Sequence, residues 1–490
     1  MSETSTGNTQ HSSARAPLVG LWLGLLLLAV TLILPAPGSL AEPAWHCLGL
    51  ALLMACWWST EAIPIPATSL LPIILGPAAG IGSMDDVTAA YANPIIFLFL
   101  GGFLLGLAMQ RWDLHRRIAL RILTLVGTNP RRQIGGFMLA TGFLSMWVSN
   151  TATAIMMLPI GTSVLALWQN DSEESEEQHH ERQRYATALL LAIAYSASIG
   201  GVATLIGTPP NALLAGYVSD NSQIELGFAQ WMMVGLPLSI IMLLITWWWL
   251  THKGFQLGQQ DRGQQLLQEE LQRMGRMSTA EKRVGVVFLL TALAWMTRPL
   301  LTDLGLAWLS DTGIAMIAGI ALFLLPAGTS GKDRLMTWEK ASELPWGVLL
   351  LFGGGLALAK LIQGSGLADW IAQQLELFSV LPLLGLVAVV VMVIILLTEI
   401  TSNTATAAAF LPLMGALAMS LNLSPLLITV PAAIAASYAF MMPVATPPNA
   451  IVFATGEMRI QSMIRAGLML NVVSTLLITF LVTFLVSWLW

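Results

Sequence analysis

Ser149-Asn-Thr-Ala-Thr-Ala154 and Ser402-Asn-Thr-Ala-Thr-Ala407 are the same six residues 253 positions apart, each followed by Leu-Pro at 158–159 and 411–412. Thr208-Pro-Pro-Asn-Ala212 likewise recurs as Thr446-Pro-Pro-Asn-Ala450. Upstream, Leu100-Gly101-Gly102 lies 252 residues before Phe352-Gly353-Gly354. Three landmarks in one order, twice, define an internal repeat. The first copy is longer between its motifs mainly through an acidic stretch, NDSEESEEQHHERQR at 170–184. Both Ser-Asn-Thr motifs interrupt long apolar segments, 134–168 and 380–418, and both Thr-Pro-Pro motifs interrupt others, 186–217 and 427–456.

Composition sets the medium. Only 10% of the 490 residues are charged and 56% are hydrophobic, whereas a soluble domain carries about 25% charged residues. Apolar runs of roughly 20 residues, enough to cross a bilayer as a helix, recur from residue 17 to the C-terminus. Nucleic-acid binding and ordinary soluble catalysis are poor fits. The expected fold class is an all-α polytopic membrane protein with about 11 transmembrane helices plus two re-entrant hairpins. The spans are 17–35, 45–63, 66–82, 93–110, 186–217, 231–251, 284–300, 313–327, 344–362, 427–456 and 466–490. Residues 1–16 read as a disordered cytoplasmic tail, and 17–35 as a retained helix rather than a signal peptide. Cys47 and Cys56, nine residues apart on one helix, stand roughly 13 Å apart along its axis, too far for a disulfide.

Charge placement gives the orientation. With a cytoplasmic N-terminus and both Ser-Asn-Thr segments returning to their starting side, 20 of the 22 Lys and Arg fall inside. Arg298 and Lys360 remain at outer helix ends, and the C-terminus lies on the opposite side. Making the first broken segment a true double crossing gives the same parity. Re-entrance therefore rests on the polar breaks, which survive at membrane depth only when protein-buried or lining a cavity. The two hairpins then open from opposite sides, and inverted repeats with paired broken helices are the mark of secondary transporters.

Three connectors stand out. Residues 111–123 suit an amphipathic helix in the cytoplasmic interface. The stretch 170–184 reads as a solvated loop, in preference to a metal site at His179-His180. In the polar stretch 252–283, Ser278-Thr-Ala-Glu281 matches a capping box.

A broken membrane helix leaves orphan N–H groups, which attract anions, and orphan C=O groups, which attract cations. Thr208 and Thr446 are expected N-caps, with Pro209 and Pro447 at first helical positions. Thr151 and Thr404 sit beside the half-helix N-termini that follow each Ser-Asn-Thr. No Lys or Arg lies within the four motifs, so an anion there is held by dipoles, hydroxyls, amides and a co-bound cation. The rival reading, small residues easing helix packing, suits Gly101-Gly102 and Gly353-Gly354 better than it suits four matched motifs. Two intramembrane acids remain. Glu61, at a helix end before a proline, fits a structural or a functional role equally, and Glu399 is a candidate to tune a cation site or carry a proton. No His lies in the broken segments and no Cys near either motif, which leaves an intramembrane enzyme without its parts. Paired closed hairpins also suit alternating access better than a continuous pore.

Together with Trp58-Ser-Thr-Glu-Ala-Ile-Pro-Ile-Pro66, these motifs make the chain from residue 45 onward resemble the divalent anion:sodium symporter family, sodium-coupled carriers of di- and tricarboxylates and sulfate. The resemblance implies a homodimer in the plasma (inner) membrane working as an elevator, with no cofactor and sodium as coupling ion. Its scaffold would comprise 17–127 and 284–378, and its transport domain 128–252 and 379–490, with 253–283 a cytoplasmic loop. Carried over by position, one sodium site involves Ser145, Ser149, Asn150 and Gly207, and the other Thr398, Thr401, Asn403 and Ala445. Asn150, Thr151, Thr208, Pro209, Asn403, Thr404, Thr446 and Pro447 would face a C4-dicarboxylate such as succinate, malate or fumarate. Sodium-independent exchange and sodium:sulfate symport are the alternatives within the family.

Overall fold

The computed structural model describes residues 15–127, 129–166, 176–222, 224–255, 264–306, 308–328, 333–374 and 381–490. The expected tail up to residue 14, part of the acidic loop (170–175) and residues 256–263 of the polar connector lie outside them. Among the described residues every element is helical, apart from an isolated antiparallel bridge between Pro326 and Arg334. Six stretches are long and apolar enough to cross a membrane: 16–33, 84–111 (two helices, Met84–Ala90 and Pro94–Arg111), 180–202, 228–252, 346–364 and 460–489. The other apolar segments are shorter helices of 10–17 residues, among them Asn150–Ala166, Leu383–Thr398 and Leu426–Ser437. These three are short because the motifs of the repeat cut the segments they belong to.

Each Ser-Asn-Thr segment is two helices around a tight turn: Pro130–Ser145 with Asn150–Ala166, and Leu383–Thr398 with Asn403–Ser420. Both legs of each pair pack on the first half of the broken helix in the same repeat, Glu176–Val202 or Leu426–Ser437. The second halves change sides. Pro209–Ser222 packs on Asn403–Ser420 and Leu426–Ser437, whereas Pro447–Phe453 packs on Asn150–Ala166 and Glu176–Val202. This exchange interlocks the repeats and brings motifs some 250 residues apart onto one wall. The membrane-spanning part of Glu176–Val202 is wholly buried, as a helix that is apolar all round must be.

Elements outside the repeat core settle several expectations. Residues 176–184, read as loop, instead extend the helix Glu176–Val202. Residues 252–283 include a helix, Gln264–Arg273, and Ser278 and Glu281 form the expected capping box. The helix Leu114–Val126 is not merely interfacial, since Arg117 is buried in an ion pair with Glu281 at 2.8 Å. Arg117 also donates to the carbonyls of Gly275 and Met274. Arg298 and Lys360, the two cations left outside, pair with Glu225 and Asp86 respectively. The glycine pairs are packing contacts: a Cβ on Gly101 would stand 2.5 Å from the carbonyl oxygen of Ala315, and one on Gly354 2.3 Å from that of Ser69.

Candidate functional site

A cavity of about 1000 Å³ lies where the interlocked helices begin. Ser149, Asn150 and Thr151 line it from the first turn, Thr401, Asn403 and Thr404 from the second. Gly207, Thr208 and Pro209 face it opposite Ala445, Thr446 and Pro447. Of the sequence-derived site residues, Ser145 and Thr398 stand directly behind this wall, fully buried. The helices Asn150–Ala166, Asn403–Ser420 and Pro209–Ser222 all start at lining residues. The first two bring first-turn N–H groups to this wall, whereas the third opens on two prolines without N–H and its Asn211 N–H donates to Thr208 O. Among the residues whose side chains are described, two carboxylates, Glu61 and Glu343, line the cavity and no Lys or Arg does.

Behind each tip lies a knot of oxygens. Ser145 Oγ is 2.7 Å from Asn150 Oδ1 and 2.6 Å from the carbonyl oxygen of Ala197. In this orientation the Asn150 amide oxygen faces acceptors, the carbonyls of Ala197 and Gly207. Turned over, its N–H₂ would donate to Ala197 O at 3.0 Å, Gly207 O at 3.3 Å and Ser145 Oγ at 2.7 Å. With the N–H₂ on that side all three acceptors are satisfied. The other repeat matches: Thr398 Oγ1 donates to Asn403 Oδ1 at 2.8 Å and to the carbonyl of Ala436 at 3.0 Å. Thr401 turns its hydroxyl to Leu397 O and Thr406 Oγ1, away from that knot.

The helix breaks are held by named side chains. Thr446 caps its half-helix by accepting from the Asn449 N–H, and both half-helices start with Pro209 or Pro447 as expected. Asn211 and Asn449, the fourth residues of the Thr-Pro-Pro-Asn-Ala motifs, reach back across the breaks. Asn211 Nδ2 donates to Thr204 O at 2.7 Å, and Asn449 Nδ2 donates to Ala439 O at 3.2 Å and Met442 O at 3.1 Å. Sequence reading quoted this asparagine but gave it no role, although its recurrence was signal enough. Trp231 and Tyr195 donate to the orphan carbonyls of Val202 and Phe440; nothing in the sequence marked them.

The two acids part company. Glu61 is exposed at the cavity wall and ends the helix Glu42–Thr60 in a left-handed conformation (φ 48°), its N–H donating to Trp57 O. Glu399 is 4% exposed. It accepts from the backbone N–H groups of Phe440 (2.8 Å), Met441 (2.9 Å) and Met442 (2.9 Å) and from Asn471 Nδ2 (2.7 Å). All partners are donors, which suits an acceptor-only carboxylate. Glu399 thus fastens the unwound linker of the second broken helix to the turn of its own hairpin, and Met146 holds the matching position in the first repeat.

Interlocked pairs of broken helices around a cavity, in an apolar helical chain, define a membrane transporter. The chain belongs to the family described as the sodium:sulfate symporter transmembrane region, whose model matches residues 15–490. It is 46% identical over 469 residues to a sodium-dependent dicarboxylate transporter, SdcS, of Staphylococcus saprophyticus, covering 94% of this chain and 90% of the relative. The SdcS of Staphylococcus aureus strain USA300 is also 46% identical, over 470 residues, covering 94% and 89%. In fold the chain resembles the YdaH transporter of Alcanivorax borkumensis (TM-score 0.59, 16% identity, 97% and 99% covered). It also resembles MtrF of Neisseria gonorrhoeae (TM-score 0.58, 13% identity, 95% and 94% covered). Relatives that are transporters set the enzyme reading aside.

Proposed function

We propose that the protein couples uptake of a C4-dicarboxylate to sodium. The observation that carries this is electrostatic. Among the described side chains the cavity wall holds two carboxylates and no Lys or Arg, and directly behind it stand two polar knots, one per repeat, around Asn150 and Asn403. Clusters of hydroxyl, carbonyl and amide oxygens suit a hard cation. A divalent anion entering such a cavity gains its counter-charge from cations in the knots, so each ion is bound better with the other present. Asn150 and Asn403 belong to both surfaces, and Thr151, Thr404, Thr208 and Thr446 present hydroxyls or first-turn N–H groups to the anion.

The remaining architecture follows the same reading. The segments 17–127 and 284–378 form a scaffold, and 128–252 with 379–490 a transport domain that moves as an elevator in a homodimer. The N-terminus is cytoplasmic and the C-terminus on the opposite side of the plasma membrane. The cavity reaches Ala16, Pro17 and Glu343, residues that the positive-inside reading places at the cytoplasmic end, so the conformation is inward-facing. The dicarboxylate and the sodium requirement in the names of the 46%-identical relatives support the substrate.

Uptake of labelled succinate into proteoliposomes, with an imposed inward sodium gradient against a potassium control, tests the proposal, with malate, fumarate and sulfate as competitors. Sodium-stimulated uptake blocked by the C4 acids is the expected result. Robust exchange on preloading without sodium stimulation would replace symport by antiport, and block by sulfate alone would replace the substrate.

A further inference from the structure

A second cavity, of about 460 Å³, shares no lining residue with the first. Its walls come from three elements. Helix Glu176–Val202 gives His180 and Arg184, the π-turn Trp249–Gly254 gives Trp249, followed by Phe255, and the start of helix Ile460–Leu477 gives Arg459 and Arg465. Among the described residues no Asp or Glu lines it. Arg184, Arg459 and Arg465 are all exposed and make no ion pair among the described residues. Arg459 is the N-cap of its helix without a side-chain cap, so first-turn N–H groups add partial positive charge. Three guanidinium forks and a helix start around one cavity match a phosphate group.

Depth chooses the source of that phosphate. Three of the six long apolar stretches, 180–202, 228–252 and 460–489, have an end at this cavity. Trp249 lines it and Trp248, next to it in the chain, is 47% exposed, and tryptophans at helix ends mark the membrane–water interface. The cavity therefore lies at headgroup level, where basic pockets between membrane helices take anionic lipids. We propose that it binds the phosphate of an anionic phospholipid headgroup, cradled by Arg184, Arg459 and Arg465.

Native mass spectrometry of the full-length protein, titrated with phosphatidylglycerol or with phosphatidylcholine, tests this. The wild type should hold phosphatidylglycerol preferentially. The triple variant Arg184→Gln/Arg459→Gln/Arg465→Gln should bind it on the order of a hundredfold more weakly. Arg121→Gln/Arg132→Gln/Arg276→Gln removes as much charge from exposed positions elsewhere and should bind as the wild type does. Equal loss in both triples, or no preference for phosphatidylglycerol, would overturn the proposal. Inorganic phosphate at millimolar concentration should not displace the lipid; if it does so as well as excess lipid, the site is one for a soluble phosphate. Should the triple fail to fold, Arg184→Gln and Arg465→Gln alone, both at exposed side chains, should each weaken binding several-fold, and wild-type binding in both refutes the cradle.

Discussion

Removing the Glu399 side chain should open the linker at 438–446. In Glu399→Ala, four donors lose their acceptor: the N–H groups of Phe440, Met441 and Met442 and the Asn471 amide. Met441 and Met442 are partly exposed and can turn to water, whereas Phe440 (0% exposed) and Asn471 (5%) cannot. Two buried donors left unpaired cost about 1–3 kcal/mol each, so the linker should weaken by about 4 kcal/mol, near a thousandfold in its opening equilibrium. Glu399→Gln keeps the shape but turns one oxygen into a donor. With its oxygen kept on Phe440 and Asn471, it loses the Met442 bond and costs about 1.5–3 kcal/mol. Hydrogen exchange of amides 440–442 in the purified protein reads the linker directly, and thermal melting reads the whole. Protection should fall in the order wild type, Gln, Ala. A proton carrier would behave differently: Gln would leave exchange and melting unchanged and flatten the pH dependence of uptake. Amides 440–442 protected as in the wild type in both variants would refute the fastening role.

Asn150→Ala and Asn403→Ala should each abolish sodium-dependent uptake in proteoliposomes while membrane insertion survives; wild-type sodium dependence in both would remove the knots from the mechanism. Gly201→Ala tests the first knot without touching its ligands. The added Cβ would lie 2.4 Å from Asn150 Oδ1, so the half-saturating sodium concentration should rise about tenfold or more, and an unchanged value would count against the site. Thr446→Ala removes the acceptor for the Asn449 N–H and should raise the half-saturating succinate concentration more than that of sodium, about tenfold for a bond lost to a charged group. At the far end of the molecule, burial opposes ionisation of Glu281, but the Arg117 guanidinium and the Ser278 cap overcome it and hold the carboxyl below its usual range. A depressed folded-state value means stabilisation that is full above the ordinary glutamate range and lost as pH falls through the lower folded value. Melting of the wild type should therefore drop between about pH 5 and pH 3 in a step that Glu281→Gln lacks; parallel profiles would refute it.

Much was legible in the chain because a bilayer admits few backbone arrangements. Apolar runs and scarce charge allow only helices, and the duplicated Ser-Asn-Thr and Thr-Pro-Pro motifs announced where those helices break, down to Pro209 and Pro447 at their starts. What the breaks touch was not legible. Glu399 read as a cation tuner or proton carrier, because a carboxylate in an apolar run has the same sequence signature whether it faces an ion or three backbone N–H groups. Asn471, 72 residues away, carried no mark at all. Glu61 fitted a structural or a functional role equally, and only the folded chain shows the left-handed turn that leaves its side chain exposed on the cavity. The crossing of the half-helices, Pro209–Ser222 onto the second repeat and Pro447–Phe453 onto the first, is likewise a tertiary decision. Helix periodicity and motif spacing are local quantities. The partners of an orphan N–H or C=O are whichever donors and acceptors the packing of distant segments brings within about 3 Å, and only the folded chain selects them.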